Sequence, residues 1–162
     1  MLFAPLDGWG HVNACHGLAE LVRDRGHRVV FAVDVAFEGQ LQRYGFEEEL
    51  HEWVRDVKPD VNHKSDFIHK NAEFFKLSPL EVNKNICVKA FQLMYEGLRA
   101  RDSQYKQIID RVKPDIIVID SYVGSPTLTN SGIPWVWLYS AAPLMAWNSE
   151  KLPPAWSGKF YL

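Results

Sequence analysis

Leu2-Phe3-Ala4, Gly8-Trp9-Gly10-His11-Val12-Asn13 and Val29-Val30-Phe31-Ala32-Val33 are the stretches whose reading decides the fold. The first is a short apolar run, and the second is a glycine-rich turn carrying a histidine. Between the turn and the third stretch, Cys15, Leu18, Ala19 and Val22 recur at i, i+3, i+4 and i+7, the spacing of one helical face, and Arg25-Gly26 ends the pattern. Val29 to Val33 is too continuously apolar and β-branched for a strand with one wet face, so it reads as buried on both sides. Strand, helix and strand in this order form a βαβ unit, whose crossover is right-handed almost without exception. His11 then falls at the carboxyl end of the first strand, where open α/β sheets place their reactive side chains.

A second unit repeats the logic. Lys113-Pro114 stops a helix, Asp115-Ile116-Ile117-Val118-Ile119-Asp120 reads as a buried strand ending in an acid, and a short helix follows through Thr127-Leu128-Thr129-Asn130. Gly132 terminates that helix, and Trp135-Val136-Trp137-Leu138-Tyr139 reads as the next strand, with Trp137 expected in the core. Alternating strands and helices predict an α/β fold, a Rossmann-like parallel sheet flanked by helices. If the strands beginning at Leu2 and Asp115 lie close in that sheet, Asp120 rises beside His11. An acid leaving a buried strand is costly to desolvate without a partner. That partner is either His11 or the amides of the following helix, which Asp120 would cap. As a dyad, the carboxylate would fix the imidazole tautomer and stabilise the imidazolium. Such a base is worth about 10²- to 10⁴-fold in rate. No serine or cysteine stands in a nucleophile-elbow pattern, so the proton that His11 takes belongs to a bound substrate.

Composition narrows the remaining classes. In 162 residues, 47% hydrophobic content and 13% aromatics are enough for a domain with a real core. Eighteen basic against 20 acidic side chains give a formal charge of −2 without a basic stripe, which argues against nucleic acid as a partner. Cys15 and Cys87 match neither a CxxC pair nor a zinc site, and Cys15 sits on the apolar helix face, where core packing explains it. No signal peptide opens the chain and no run approaches the roughly 18 apolar residues of a membrane span. The chain as given therefore reads as soluble and cytoplasmic.

From Ala36 to about Asn71 the pattern is weaker. Tyr44-Gly45-Phe46 reads as a turn into a short edge element, with loops and short helices around it. Ser78-Pro79-Leu80-Glu81 is a capping box opening a long helix, whose stripe of Ile86, Ala90, Met94, Leu98, Tyr105, Ile108, Ile109 and Val112 is expected to break near Gly97. The aromatics Phe74, Phe75, Phe91, Trp135 and Trp147 could line an apolar acceptor pocket, but most are better explained as core. Trp9, in a Gly-x-Gly turn beside the base, has little core to enter.

Two other chemistries fail on spacing. Gly8 and Gly10 begin a GxG, but Asn13 stands where GxGxxG needs its third glycine, and Asp34 alone supports a nicotinamide site. The histidines at 16, 27, 51, 63 and 69 form no HExxH, and His16 lies too far round a helix from His11 to share an ion, so no metal site is expected.

Gly10-His11-Val12-Asn13 with Arg25-Gly26-His27, then Pro114-Asp115 through Asp120, then Gly132-Ile133-Pro134 and a strand leading to Ser140, resemble in order and spacing the N-terminal domain of UDP-dependent glycosyltransferases of the GT-B fold. In many members a proline follows the asparagine, where Ala14 stands here. The resemblance implies inverting transfer of a hexosyl group from a UDP-sugar to a hydroxyl of a small lipophilic acceptor. His11 is similar to the family's base and Asp120 to its partner acid. Ser140 and Gly10 fall near the donor sugar, and Trp9, Phe91 and Met94 on the acceptor side. It implies no cofactor, the UDP-sugar being a co-substrate. It also makes residues 1–162 a single, partial acceptor-binding domain. A separate nucleotide-sugar-binding domain is then required, and the chain is expected to be a fragment, inactive alone. The rival reading is a non-catalytic or split-enzyme half that docks a donor-domain partner. Relatives in the endomembrane system leave the compartment open.

Overall fold

The structure, a computed structural model, describes residues 1–52 and 69–141. Five strands, β1 (Leu2–Pro5), β2 (Val30–Asp34), β3 (Glu47–His51), β4 (Ile117–Asp120) and β5 (Trp135–Trp137), form one parallel sheet in the order β3-β2-β1-β4-β5. The chain runs outward from β1 to β3 and then returns to lay β4 on the other flank of β1. That reversal is the topological switch point of an open α/β sheet, beside which ligands bind at the carboxyl ends of the strands. The register sets Pro5 opposite Asp120 and Asp34 opposite His51.

Both faces of the sheet are covered, as the continuous apolar runs require. Helix α1 (Trp9–Asp24) packs Val12, Cys15, Ala19 and Val22 on a face made by Phe3, Phe31, Val33 and Val118. The intervening residues Leu2, Ala4, Val30, Ala32, Ile117 and Ile119 point to the opposite face, where Leu98, Tyr105, Ile108, Val112 and Leu128 cover them. Period-2 alternation therefore separates two apolar layers, each removing side chains from water at about 25 cal/mol per Å².

The described residues fall into two compact units, 1–52 with 97–140, and 69–96 with 141. The sheet belongs to the first. In the second, a 3₁₀ turn (Ala72–Lys76) leads to a short helix α2 (Pro79–Val82). Its capping box forms as expected: Glu81 N–H donates to Ser78 Oγ, and Ser78 N–H donates to the Glu81 side chain at 3.2 Å. The expected break near Gly97 does not occur. A π-helical turn (Asn83–Cys87) comes earlier, and α3 (Val88–Val112) runs straight through Gly97. Asparagine explains the shift. Asn83 and Asn85 donate from their side-chain amides to the carbonyls of Pro79 and Glu81, at 3.0 and 2.8 Å, and so compete with the helical ladder. A single interior glycine costs a helix only about 1 kcal/mol.

The expectations for the last strand need correction. β5 stops at Trp137, and Trp137 is not core: Trp135, Val136 and Trp137 are 44%, 50% and 51% exposed. β5 is an end strand of the described sheet, and its aromatic pattern does not distinguish an edge from a centre. Trp137 Nε1–H instead donates to the carbonyl of Ser121 at 3.0 Å, tying down the segment after β4. Phe75 and Phe91 are likewise exposed rather than buried, and Trp147 lies outside the described residues.

Helix α4 (Pro126–Thr129) is short, as expected, and Ser125 caps it, its Oγ accepting from Leu128 N–H at 3.2 Å. Ser125 Oγ–H and Thr127 Oγ1–H also donate to the Asp102 carboxylate, at 2.5 and 2.6 Å. One carboxylate on α3 thus anchors the chain that leaves β4.

Candidate active site

His11 and Asp120 meet because the strands β1 and β4 are neighbours. Gly8, in extended conformation, starts α1 directly after β1, and His11 falls in the first helical turn. Asp120 closes β4 opposite Pro5, and its carbonyl accepts from Leu6 N–H at 2.6 Å, which holds the two strand exits together. His11 Nδ1 lies 3.0 Å from Asp120 Oδ2. Asp120 does not cap the next helix, since Ser125 holds that position.

Ser140 completes the group. Its Oγ–H donates to Asp120 Oδ2 at 2.6 Å, its backbone N–H donates to Oδ1 at 3.3 Å, and its Oγ stands 3.0 Å from His11 Nδ1. Burial pushes the Asp120 carboxyl toward its neutral form, but hydrogen bonds from His11 and Ser140 outweigh it and hold the pKa below 3.8. An ionised carboxylate accepts only, so Nδ1 of His11 must carry a proton, and in the neutral ring Nε2 holds the lone pair. No described residue bonds Nε2. The His11 ring packs edge-on against Tyr122, with centroids 5.2 Å apart, and its side chain keeps 16% exposure. The arrangement is a held imidazole whose free basic nitrogen can take a proton from a ligand.

The other sequence-derived residues take varied places. Trp9 is half-exposed at the start of α1 and rests edge-on against Phe37 at 4.9 Å. A side chain at Gly10 would meet nothing within 4 Å, so the glycine leaves open space in the turn that bears His11. Phe91 and Met94 lie in the second unit, Phe91 exposed and Met94 half-buried. Asp34 accepts from Ala36 N–H at 3.0 Å and so opens the 3₁₀ turn Val35–Phe37. Cys15 is buried in the core as expected, and burial pushes its thiol up to about 12.

A second polar group lies at the exits of β1, β2 and β3 and has no sequence signature. Potential ligand atoms of Asp7, Asp34 and His51 fall within 4.8 Å of one another, a spacing close enough to hold an ion. Arg101 of α3 pairs with Asp7 Oδ2, leaving Oδ1 without a partner 3.8 Å from His51 Nε2. Among the described residues Nε of Arg101 also has no hydrogen-bond partner, and the enclosed ring of His51 has at most a backbone contact to Ala32. These residues do not suit a cation: a buried guanidinium already neutralises Asp7, and its Nε–H is a donor that no cation can satisfy. A water or hydroxyl, which both donates and accepts, matches the set.

No protein-family model matches the chain, and no curated protein matches it in sequence. Solved structures do match. The chain superposes on the Streptomyces sp. SF2575 glycosyltransferase SsfS6 with a TM-score of 0.52 and 15% identity, over 84% of this chain and 38% of that one. SsfS6 complexed with thymidine diphosphate gives 0.51, at 16% identity, over 84% and 37%. The glycotransferase of kitacinnamycin gives 0.50, at 18% identity, over 84% and 29%. The fold is shared with glycosyltransferases. The chain spans 29% to 38% of the length of these proteins. Among the described residues no helix is long and apolar enough to cross a membrane.

Proposed function

We propose that this chain is the base-carrying, acceptor-side half of a UDP-dependent glycosyltransferase of the GT-B type. In this reading it takes part in inverting transfer of a hexosyl group from a nucleotide sugar to a hydroxyl of a small lipophilic acceptor. The observation that carries the proposal is the His11, Asp120 and Ser140 arrangement at the switch point, with Nδ1 fixed and Nε2 open. His11 Nε2 removes the proton of the acceptor hydroxyl as the oxygen attacks the anomeric carbon. The bond from that carbon to the nucleoside diphosphate breaks on the opposite side, so one displacement inverts the configuration. Asp120 stabilises the imidazolium without itself taking the proton. Half-exposed Trp9 suits an apolar acceptor. Gly10 leaves room beside the base for the donor sugar.

The donor site itself is assigned to a separate nucleotide-binding domain. SsfS6 is known with thymidine diphosphate bound, so both uridine and thymidine diphosphate sugars are worth testing. Calorimetry with UDP-glucose and with thymidine diphosphate glucose should detect no tight binding to this chain alone. Joined to the donor-binding domain of a related enzyme, the chain should bind one of them and transfer its sugar. Tight binding by the isolated chain would place the nucleotide here and contradict the proposal.

A further inference from the structure

We propose that Ser140 is a positioning residue of the base, a clamp that orients the Asp120 carboxylate on His11, rather than a contact to the donor sugar. The inference rests on the function proposed above. Both donors of Ser140 go to one carboxylate: Oγ–H to Oδ2 at 2.6 Å and N–H to Oδ1 at 3.3 Å. Each carboxylate oxygen thus has a fixed donor. Without them the plane of the group turns in a broad, two-fold torsional well and no longer aims Oδ2 at His11. The chain delivers Ser140 to this spot through β5, because Leu138 N–H donates to the carbonyl of Ile119 at 2.8 Å and carries the strand pairing one step past Trp137.

The hydroxyl has no proton left to donate to a sugar. A serine has one O–H, and here it is given to Asp120. Its oxygen faces His11 Nδ1 at 3.0 Å, so the Nδ1 proton is shared between Asp120 Oδ2 and Ser140 Oγ. Ser140 therefore fixes the tautomer twice, once through the carboxylate and once directly.

Two variants of the intact chain test this without any assay of transfer. Long-range ¹H–¹⁵N spectra should show His11 protonated on Nδ1 in the wild type and in Ser140→Thr, and a mixture of tautomers in Ser140→Ala. The ¹³C titration of the Asp120 carboxyl should move to higher pH in Ser140→Ala, because a hydrogen bond to the charged form is lost, and return in Ser140→Thr. In the transfer assay Ser140→Ala should lower kcat about ten- to a hundredfold, as removal of an orienting partner does, with the donor KM unchanged. An unaltered tautomer and titration in Ser140→Ala would overturn the clamp, as would a raised donor KM with normal kcat. If the spectra change as expected while even the wild type transfers no sugar, the enzymatic reading fails and the clamp stands.

Discussion

Two polar clusters sit at the carboxyl edge of the same sheet, each built on a histidine and a carboxylate, and they end in opposite states. Around Asp120, His11 and both donors of Ser140 converge on the carboxylate, and the unspent atom is Nε2 of a partly exposed His11. Around Asp7 the unspent atoms are buried inside the cluster: among the described residues Asp7 Oδ1 and Nε of Arg101 have no hydrogen-bond partner. The His51 side chain is fully enclosed, where that of His11 reaches solvent. A histidine and an acid in contact are therefore not enough to mark a base. What separates the two is where the spare hydrogen-bonding capacity points.

The strongest way to break this contrast is Asp120→Asn. The amide offers a donor where His11 needs an acceptor, so Nδ1 would turn its lone pair inward and Nε2 would carry the proton. Transfer by the chain joined to a donor-binding domain should fall by about 10²- to 10⁴-fold. A variant that keeps full turnover would reduce the first cluster to a structural one, like the second.

On the other side of the comparison, Arg101→Met removes the cation that is 4% exposed and leaves Asp7 as an unpaired, largely buried charge. Breaking a buried pair in this way costs about 3–5 kcal/mol. Urea unfolding should register that loss. If stability holds within a few tenths of a kcal/mol, the second cluster is not the strut that the contrast makes it.

A smaller effect sharpens the same point through pH. Burial holds the His51 imidazole below its ordinary 6.5, with Arg101 adding to the depression and Asp7 opposing it. The unfolded chain then binds this proton more readily than the folded one. Stability is whole above about pH 6.5 and is lost as pH falls from there through the folded value, with a slope of at most about 1.4 kcal/mol per pH unit. Asp120 acts in a separate window, its contribution being present above about pH 3.8 and lost as pH falls below that. His51→Phe should erase the upper window and leave the lower one. An unchanged pH profile in that variant would mean that His51 is not held neutral by its surroundings.

The parts of this molecule that sequence discloses are those fixed by local periodicity. Leu2 to Ala4, Ile117 to Ile119 and, in the helical stripe, Cys15, Ala19 and Val22 bury the faces that their spacing assigns, while Leu18 of that stripe stays 37% exposed; the pairing of His11 with Asp120 follows once two strand exits are placed side by side. β3 is harder to see. Glu47-Glu48-Glu49 looks solvated, yet it is a strand because partners cover each charge: Arg28 pairs with Glu47, Arg111 with Glu49, and Glu48 accepts from the amides of Gly39, Leu41 and Gln42. His51 ends that strand, so its cluster with Asp7 and Arg101 depends on strand order and on the far helix, neither of which a local pattern carries. The double grip of Ser140 on Asp120 is hidden for the same reason, as is the exposure of Trp137, because a strand of aromatics reads alike at an edge or a centre.

The most direct measurement of the central claim is transfer by the chain joined to a nucleotide-sugar-binding domain, comparing the wild type with His11→Ala at saturating donor. The account predicts that turnover drops by about 10²- to 10⁴-fold while donor affinity is kept, because the alanine removes the proton acceptor and touches nothing that holds the nucleotide. Equal turnover in the two proteins would remove His11 from the chemistry and contradict the reading of this site as a general base.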